Sequence, residues 1–331
     1  MRDLNRNFQT EISDELLEGV FRGSRAHLAR AISLVEDGAG QAVRLLSRAY
    51  KRRRKAAILG ITGSPGVGKS TVASGLVKEF RSLDHSVGVI AVDPTSPFTG
   101  GAILGDRVRL RTNTTDDGVY WRSLATRGHL GGVSRHTGDV ITLMDAYGFD
   151  DIVVETVGAG QSEVDIMKYA ETVVVVLAPN LGDDVQAIKA GILEIGDVFC
   201  LNKADLPGAE GTRRDIEMML NLKEETGWRP PVIMTQADTG QGLDDLVKAV
   251  MSHKEYLVST GLLDKKARES HLAILKEYLN LLTVEKVIRS AETDGTLERA
   301  LQDLSSGNSD PLTCASELLE RHLKEKPIVS F

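Results

Sequence analysis

Between an apolar run, Ala56–Thr62, and a run that places Val72, Leu76, Val77 and Phe80 on one helical face lies the stretch Gly63-Ser64-Pro65-Gly66-Val67-Gly68-Lys69-Ser70, continued by Thr71. This spacing of Gly, Lys and Ser requires a strand, a tight glycine-rich turn and a helix, and the flanking patterns supply them. The glycines let the backbone wrap around phosphate oxygens. The start of the helix adds unpaired N–H groups and a positive dipole end. Gly63, Ser64, Pro65, Gly66, Val67, Gly68, Lys69, Ser70 and Thr71 are therefore predicted to cradle a nucleoside triphosphate. Lys69 is expected at the β- and γ-phosphates, and the Ser70 hydroxyl at Mg²⁺.

The pattern around this stretch predicts the fold. Residues 11–50 carry Leu16, Leu17, Val20, Phe21, Leu28, Ala31, Ile32 and Leu34 at helical spacing, with Gly38 and Gly40 separating a second segment. From residue 56 onward, short apolar runs alternate with amphipathic segments over about 180 residues. Strands are predicted at Ala56–Thr62, Ser86–Val92, Asp151–Glu155, Val173–Ala178, Val198–Asn202 and Val232–Thr235. Their apolar residues sit on both sides of the alternation, as parallel strands covered by helices on two faces require. Beyond residue 245 the chain reads as helix, with a stripe of Leu272, Leu275, Tyr278, Leu279 and Leu282 and a loop from Ser305 to Pro311. The expectation is an α/β fold: a doubly wound, mainly parallel sheet over 56–250, a helical N-terminal extension over 1–55 and a helical arm over 251–331.

Asn202-Lys203-Ala204-Asp205 closes the strand Val198-Phe199-Cys200-Leu201. A carboxylate at Asp205 can accept from both the N1–H and the exocyclic amine of guanine. Adenine has no such donor pair, so the position selects GTP or GDP over adenine nucleotides. Asn202 is expected to brace the loop and the Lys203 stem to cover the base. Gln236 and Ala237 stand where a Ser-Ala pair commonly touches guanine, and Ala237 still offers a backbone N–H. In open α/β sheets ligands lie beyond the strand C-termini, which puts both motifs on one edge. Asp93 at the end of the second strand, Asp106 in a Gly-rich loop and Glu155 at the end of Asp151–Glu155 are candidate oxygen ligands, with Ser70, for Mg²⁺. Glu155-Thr156-Val157-Gly158 occupies the place of the usual DxxG, where the Gly158 N–H could sense the γ-phosphate. Lys69 supplies charge for phosphoryl transfer, and the attacking water is left to Gln161 or to Arg107 as a cis arginine finger. No glutamine directly follows Gly158, so slow hydrolysis that a partner accelerates is expected.

The net charge of −7 argues against a dedicated nucleic-acid binder. The one basic run, Lys51-Arg52-Arg53-Arg54-Lys55, reads as a solvated helix C-terminus. Two cysteines make no disulfide framework, and the seven histidines show no zinc-like spacing. A polar start without a secretory signal and the lack of a membrane-length apolar run point to a cytoplasmic protein with no membrane partner.

Together these segments resemble the ArgK/MeaB (MMAA) family of P-loop GTPases. The resemblance rests on Gly63–Thr71, the long stretch Asp93–Asp106, Arg127-Gly128-His129-Leu130-Gly131-Gly132, Glu155–Glu163, Gly182–Asp197 and Arg25–Ile32, and covers roughly residues 20–290. It implies a G-protein chaperone for an adenosylcobalamin-dependent acyl-CoA mutase, typically methylmalonyl-CoA mutase. Such a chaperone gates cofactor loading and protection and forms a homodimer through the C-terminal arm. It also implies mobile loops at Pro94–Arg109, Gly158–Ser162 and Pro179–Lys189, the last with Asp183, Gln186 and Lys189. The Arg135-His136 pair that follows Gly131-Gly132 departs from the expected pattern. Alternative readings are a P-loop kinase, which would need an acceptor-orienting base, and a metallochaperone GTPase of the nickel-delivery type, which would need a Cys/His cluster.

Overall fold

A computed structural model describes residues 14–38, 42–93, 116–125, 136–156, 165–179, 192–222 and 227–323. Val, Ile and Leu at consecutive positions in the strands demand cover on both sides, and the sheet provides it. The strands β1 (Ala57–Thr62), β2 (Val87–Asp93), β3 (Val119–Ala125), β4 (Asp151–Glu155), β5 (Thr172–Leu177), β6 (Val198–Leu201) and β7 (Val232–Met234) form one seven-stranded sheet in the order β3-β2-β4-β1-β5-β6-β7. Every neighbouring pair is parallel. All strand C-termini therefore open on the same edge.

Alternate residues serve the two faces. Leu59, Ile61, Val153, Val174, Val176, Val198 and Cys200 pack with Val72, Leu76, Leu243 and Leu246 from α4 (Lys69–Ser82) and α8 (Leu243–Ser259). Ile152, Val154, Val173, Val175, Phe199 and Leu201 face the other way. There they join the helices α1 (14–21), α2 (Arg25–Glu36), α3 (Ala42–Lys51), α5 (Thr137–Tyr147) and α7 (Ala209–Leu220), with the short α6 (Ile192–Ile195) preceding β6. Leu17, Leu28, Ile32 and Leu45 are wholly buried in the same core as Leu143 and Met144 of α5. The N-terminal helices thus complete one face of the sheet. α3 ends at Lys51, as cations at a helix C-terminus suggest, and Lys51, Arg52, Arg54 and Lys55 of the basic run are exposed, as expected of a solvated run. The Arg52 guanidinium lies 4.8 Å from the Phe21 ring, and Arg53 lies 3.7 Å from Tyr50. The Arg54 and Ala56 N–H groups donate to the buried Asp145 carboxylate at 2.8 and 3.1 Å.

The sequence pattern missed β3. It is an edge strand that pairs only with β2, from Val87↔Val119 to Asp93↔Ala125, and Trp121, Arg122 and Ser123 break its apolar run. Trp121 Nε1, Ser123 Oγ and Arg122 Nε are buried without a hydrogen-bond partner among the described residues, but the Arg122 guanidinium tip is held. Arg122 pairs with Glu36 and reaches Ser33 Oγ at 3.2 Å, while Arg25 donates to the Asp116 and Val119 carbonyls at 2.8 and 2.6 Å. The other strands lie within a residue or so of their expected bounds, the ordinary scatter of element ends.

The chain divides into two units, the first ending at Ala267 and the second beginning at Arg268, within the helix α9 (Leu262–Thr293). In the second unit, α10 (Thr296–Ser306) and α11 (Pro311–Leu323) follow, with Gly307 in a left-handed conformation after α10. Asp310 accepts from the Leu312 and Thr313 N–H groups and so caps α11. His322 is buried there, with Thr296 Oγ1 and Ser290 Oγ each 2.9 Å from a ring nitrogen. Leu272, Leu275, Leu279 and Leu282 of α9 are exposed. Among the described residues, no helix is long and apolar enough to cross a membrane.

At the N-terminal edge of the sheet, His253 of α8 is buried among polar partners. Its Nδ1 is 2.9 Å from Thr172 Oγ1, and its Nε2 is 3.3 Å from Asp197 Oδ1. The carboxylate only accepts, so Nε2 carries the proton and Nδ1 accepts from the threonine hydroxyl. Lys266 Nζ also binds Asp197, at 3.1 Å. Burial pushes the imidazole down to about 4, against the pull of Asp197, with Lys266 adding to the depression. Below pH 6.5 the unfolded chain takes a proton that the folded protein refuses until about pH 4. Stability is therefore expected to fall between these values by roughly 2–4 kcal/mol, and a His253→Leu variant should flatten that slope in denaturant titrations. Ile32→Ala should cost about 2–5 kcal/mol in the same assay, because α2 shares the main core.

Candidate functional site

The turn from β1 into α4 is shaped by glycine. Gly63 has φ of +142°, and a Cβ there would stand 2.1 Å from the Val176 carbonyl oxygen of β5. Gly68, with φ of +96°, is the residue before α4, and its Cβ would meet Asn202 Nδ2 at 2.4 Å. Gly68 provides no side-chain cap to α4, and the positive end of the helix dipole faces the glycine-rich turn, where an anion is favoured. Lys69 is buried and folds back over the loop, with Nζ donating to the carbonyls of Gly63 and Ser64 at 2.8 and 3.0 Å. Pro65 and Gly66 are exposed at the tip, Val67 is buried beneath it, and Thr71 is exposed on α4.

Ser70 Oγ donates to Glu155 Oε1 at 2.5 Å. The β1–β4 register, Ile61↔Glu155, brings the end of β4 beside the root of the loop and makes this contact possible. A hydroxyl and a carboxylate converging at the phosphate loop form a donor set of oxygens only, which suits a hard divalent cation such as Mg²⁺. Asp93 ends β2 on the same edge of the sheet. Asp106, Arg107, Gly158 and Gln161 lie outside the described residues. So do the 94–115 and 180–191 segments and the Arg127–Gly132 motif.

The other side of the site is organised by Asn202, which follows β6 and is buried. Its Nδ2 donates to the Val67 carbonyl at 2.9 Å, which ties the strand end to the phosphate loop. Its Oδ1 accepts from Thr235 Oγ1 at 3.2 Å and from the Ala237 N–H at 3.1 Å. The N–H expected to face a guanine is thus engaged with Asn202 here. Lys203 holds φ of +57°, a left-handed conformation uncommon outside glycine, and its Nζ donates to the Gly66 carbonyl at 2.8 Å. That bend leaves Asp205 exposed beyond the strand end. The Gln236 N–H donates to the Gln241 carbonyl at 2.9 Å and closes the loop that carries Ala237. The structure therefore gathers Gly63–Thr71, Glu155, Asn202–Asp205 and Thr235–Ala237 on one edge. The bracing hydroxyl of Thr235 was not singled out from the sequence, since a threonine at a strand end carries no motif. Beneath it, the Cys200 thiol, 3.2 Å from Thr235 Oγ1, is pushed up to about 12 by burial and is a packing group.

Residues 28–294 match the family described as methylmalonyl Co-A mutase-associated GTPase MeaB. A Pyrococcus abyssi protein, itself only provisionally assigned as a GTPase, is 46% identical over 311 residues, 93% of this chain and 96% of its own. GTPase ArgK of Escherichia coli is 30% identical over 92% of this chain and 95% of its own length. The mouse protein described as methylmalonic aciduria type A homolog, mitochondrial, is 32% identical over 93% and 79%. A crystal structure described as LAO/AO transport system kinase shares the fold, with a TM-score of 0.68 at 24% identity over 93% of this chain and 96% of that one. With the phosphate loop, the Asn202–Asp205 turn and Glu155 assembled on one sheet edge, and with this match spanning most of the chain, the protein belongs to the MeaB family of methylmalonyl Co-A mutase-associated GTPases.

Proposed function

We propose that this chain binds and hydrolyses GTP with Mg²⁺, and that its nucleotide state gates cofactor loading and protection in an adenosylcobalamin-dependent acyl-CoA mutase, methylmalonyl-CoA mutase or a close relative. The observation that carries the nucleotide part is the Asn202 bridge to Val67, which holds a guanine-reading loop and a phosphate-binding loop in one fixed relation. Family membership and the mouse relative's name support the mutase part.

The phosphates lie against backbone N–H groups of the 63–71 turn, where Pro65 has none to offer, and Lys69 trades its carbonyl partners for phosphate oxygens. Ser70, Glu155, Asp93 and Asp106 are the residues that would hold the cation. An ion held there would supply positive charge against the phosphates during transfer. Asp205 accepts from the guanine edge, and the Lys203 stem covers the base beside Gln236 and Ala237. Gly158, Gln161 and Arg107 complete the site around the γ-phosphate and the attacking water. Hydrolysis is slow until the mutase orders these loops. The exposed stripe Leu272, Leu275, Leu279 and Leu282 on α9 supports a homodimer through the C-terminal arm.

Asp205→Asn replaces an acceptor by a donor at the base edge. It should weaken GTP binding about 100-fold and favour xanthosine triphosphate, whose 2-oxo group accepts, in fluorescence titrations. Unchanged GTP affinity would refute the guanine assignment. Asn202→Ala, which leaves the Ala237 N–H without its acceptor, should lose about 1–3 kcal/mol of stability and bind nucleotide weakly. GTP turnover should rise several-fold when a B12-dependent mutase is added. Equal turnover with and without the mutase would defeat the gating role. Phosphate transfer to a small-molecule or protein acceptor would favour the kinase reading instead.

A further inference from the structure

Ser70 and Glu155 account for one contact between the end of β4 and the phosphate loop. A second contact lies on the opposite face of the sheet. Side chains alternate along a strand, so Ile61 and Glu155 project toward α4, while Thr62 and Thr156 project away from it. Thr156 Oγ1 donates to Thr62 Oγ1 at 3.0 Å and lies 3.4 Å from the Ile61 carbonyl, and the Thr156 N–H donates to that same carbonyl at 3.0 Å. Both threonines are buried, at 0% and 1% exposure. Valine would fill the same space without a polar group to satisfy, so the hydroxyls serve something other than packing. Thr62 is the last residue before Gly63, and Thr156 directly follows Glu155. The pair therefore joins the root of the phosphate loop to the residue after the cation-site carboxylate.

We infer that Thr62 and Thr156 are positioning residues. Their hydroxyl bond, on the face away from α4, holds the end of β4 so that the Glu155 carboxylate stays in register with Ser70. The role rests on the Mg²⁺–GTP reading above. It assigns to two threonines outside the phosphate-loop motif a part in cation binding that works through Glu155.

The test uses the full chain and the variants Thr156→Val, Thr62→Val, the double variant and Thr156→Ser. Three readouts are taken: Mg²⁺ dependence of GTP-analogue binding, guanine-over-adenine preference, and amide exchange at residues 151–156 without nucleotide. Each valine variant should raise the Mg²⁺ needed for half-maximal binding about threefold to tenfold, the worth of one buried hydrogen bond. Guanine preference should stay at the wild-type value, and exchange at the end of β4 should quicken. The double variant should be no worse than either single one, because the two side chains share one bond. Thr156→Ser, which keeps the hydroxyl, should restore the wild-type Mg²⁺ requirement. Valine variants with an unaltered Mg²⁺ requirement, an additive double variant, or a serine variant as impaired as the valine one would each overturn the assignment while leaving the GTPase reading intact. Valine variants too unstable to bind would also overturn it, by showing the hydroxyls to be structural. Wild-type protein that binds guanine nucleotide without any Mg²⁺ dependence would overturn the cation site itself and this role with it.

Discussion

The amide of Asn202 is buried where three segments meet, and it is hydrogen-bonded at both ends: it donates to the phosphate loop at Val67 and accepts from Thr235 and Ala237. Each contact replaces water that the group gave up on burial, so none can be lost without leaving a buried polar atom unpaired. The cradle for phosphate and the turn expected to read the base are thus tied together through one side chain. Lys203 adds a second tie, from Nζ to the Gly66 carbonyl, and its left-handed backbone is the strained conformation that this geometry maintains.

That junction depends on the sheet beneath it. Gly63 has to be glycine because the β5 carbonyl of Val176 occupies the space a side chain would need. β5 lies there because β1 is sandwiched between β4 and β5 in the strand order. The same order puts Glu155 beside Ser70 on one face and Thr156 beside Thr62 on the other. Two hydrogen bonds on opposite faces thus constrain the end of β4, the strand that leads toward Gly158 and Gln161. The N-terminal helices contribute from a distance. They bury one face of the sheet and anchor the edge strand β3, Arg25 through the Asp116 and Val119 carbonyls and Ser33 and Glu36 through Arg122.

Much of this was legible in the chain before folding. Gly63–Thr71 and Asn202–Asp205 announce themselves because each chemistry needs particular residues at fixed short spacing. Six of the seven strands show as apolar runs, since burial on both faces removes polar residues from consecutive positions. The helices show as stripes, and the break before α11 as a Gly and an Asp. β3 escaped because Trp121, Arg122 and Ser123 interrupt its apolar run, and the Glu36 that pairs with Arg122 lies 86 residues earlier in the chain. The basic run is exposed as its charge suggests, and what the sequence did not show is that Arg52 and Arg53 also lie over the Phe21 and Tyr50 rings.

Local residue order carried the nucleotide chemistry, the fold class and the family. The strand order alone placed Asn202 on Val67, 135 residues earlier, Glu155 on Ser70 and Thr156 on Thr62. Those contacts arise from lateral neighbours in a sheet, whereas a motif records neighbours along the chain. For that reason the site's parts were readable one by one, and the hydrogen bonds that join them were not.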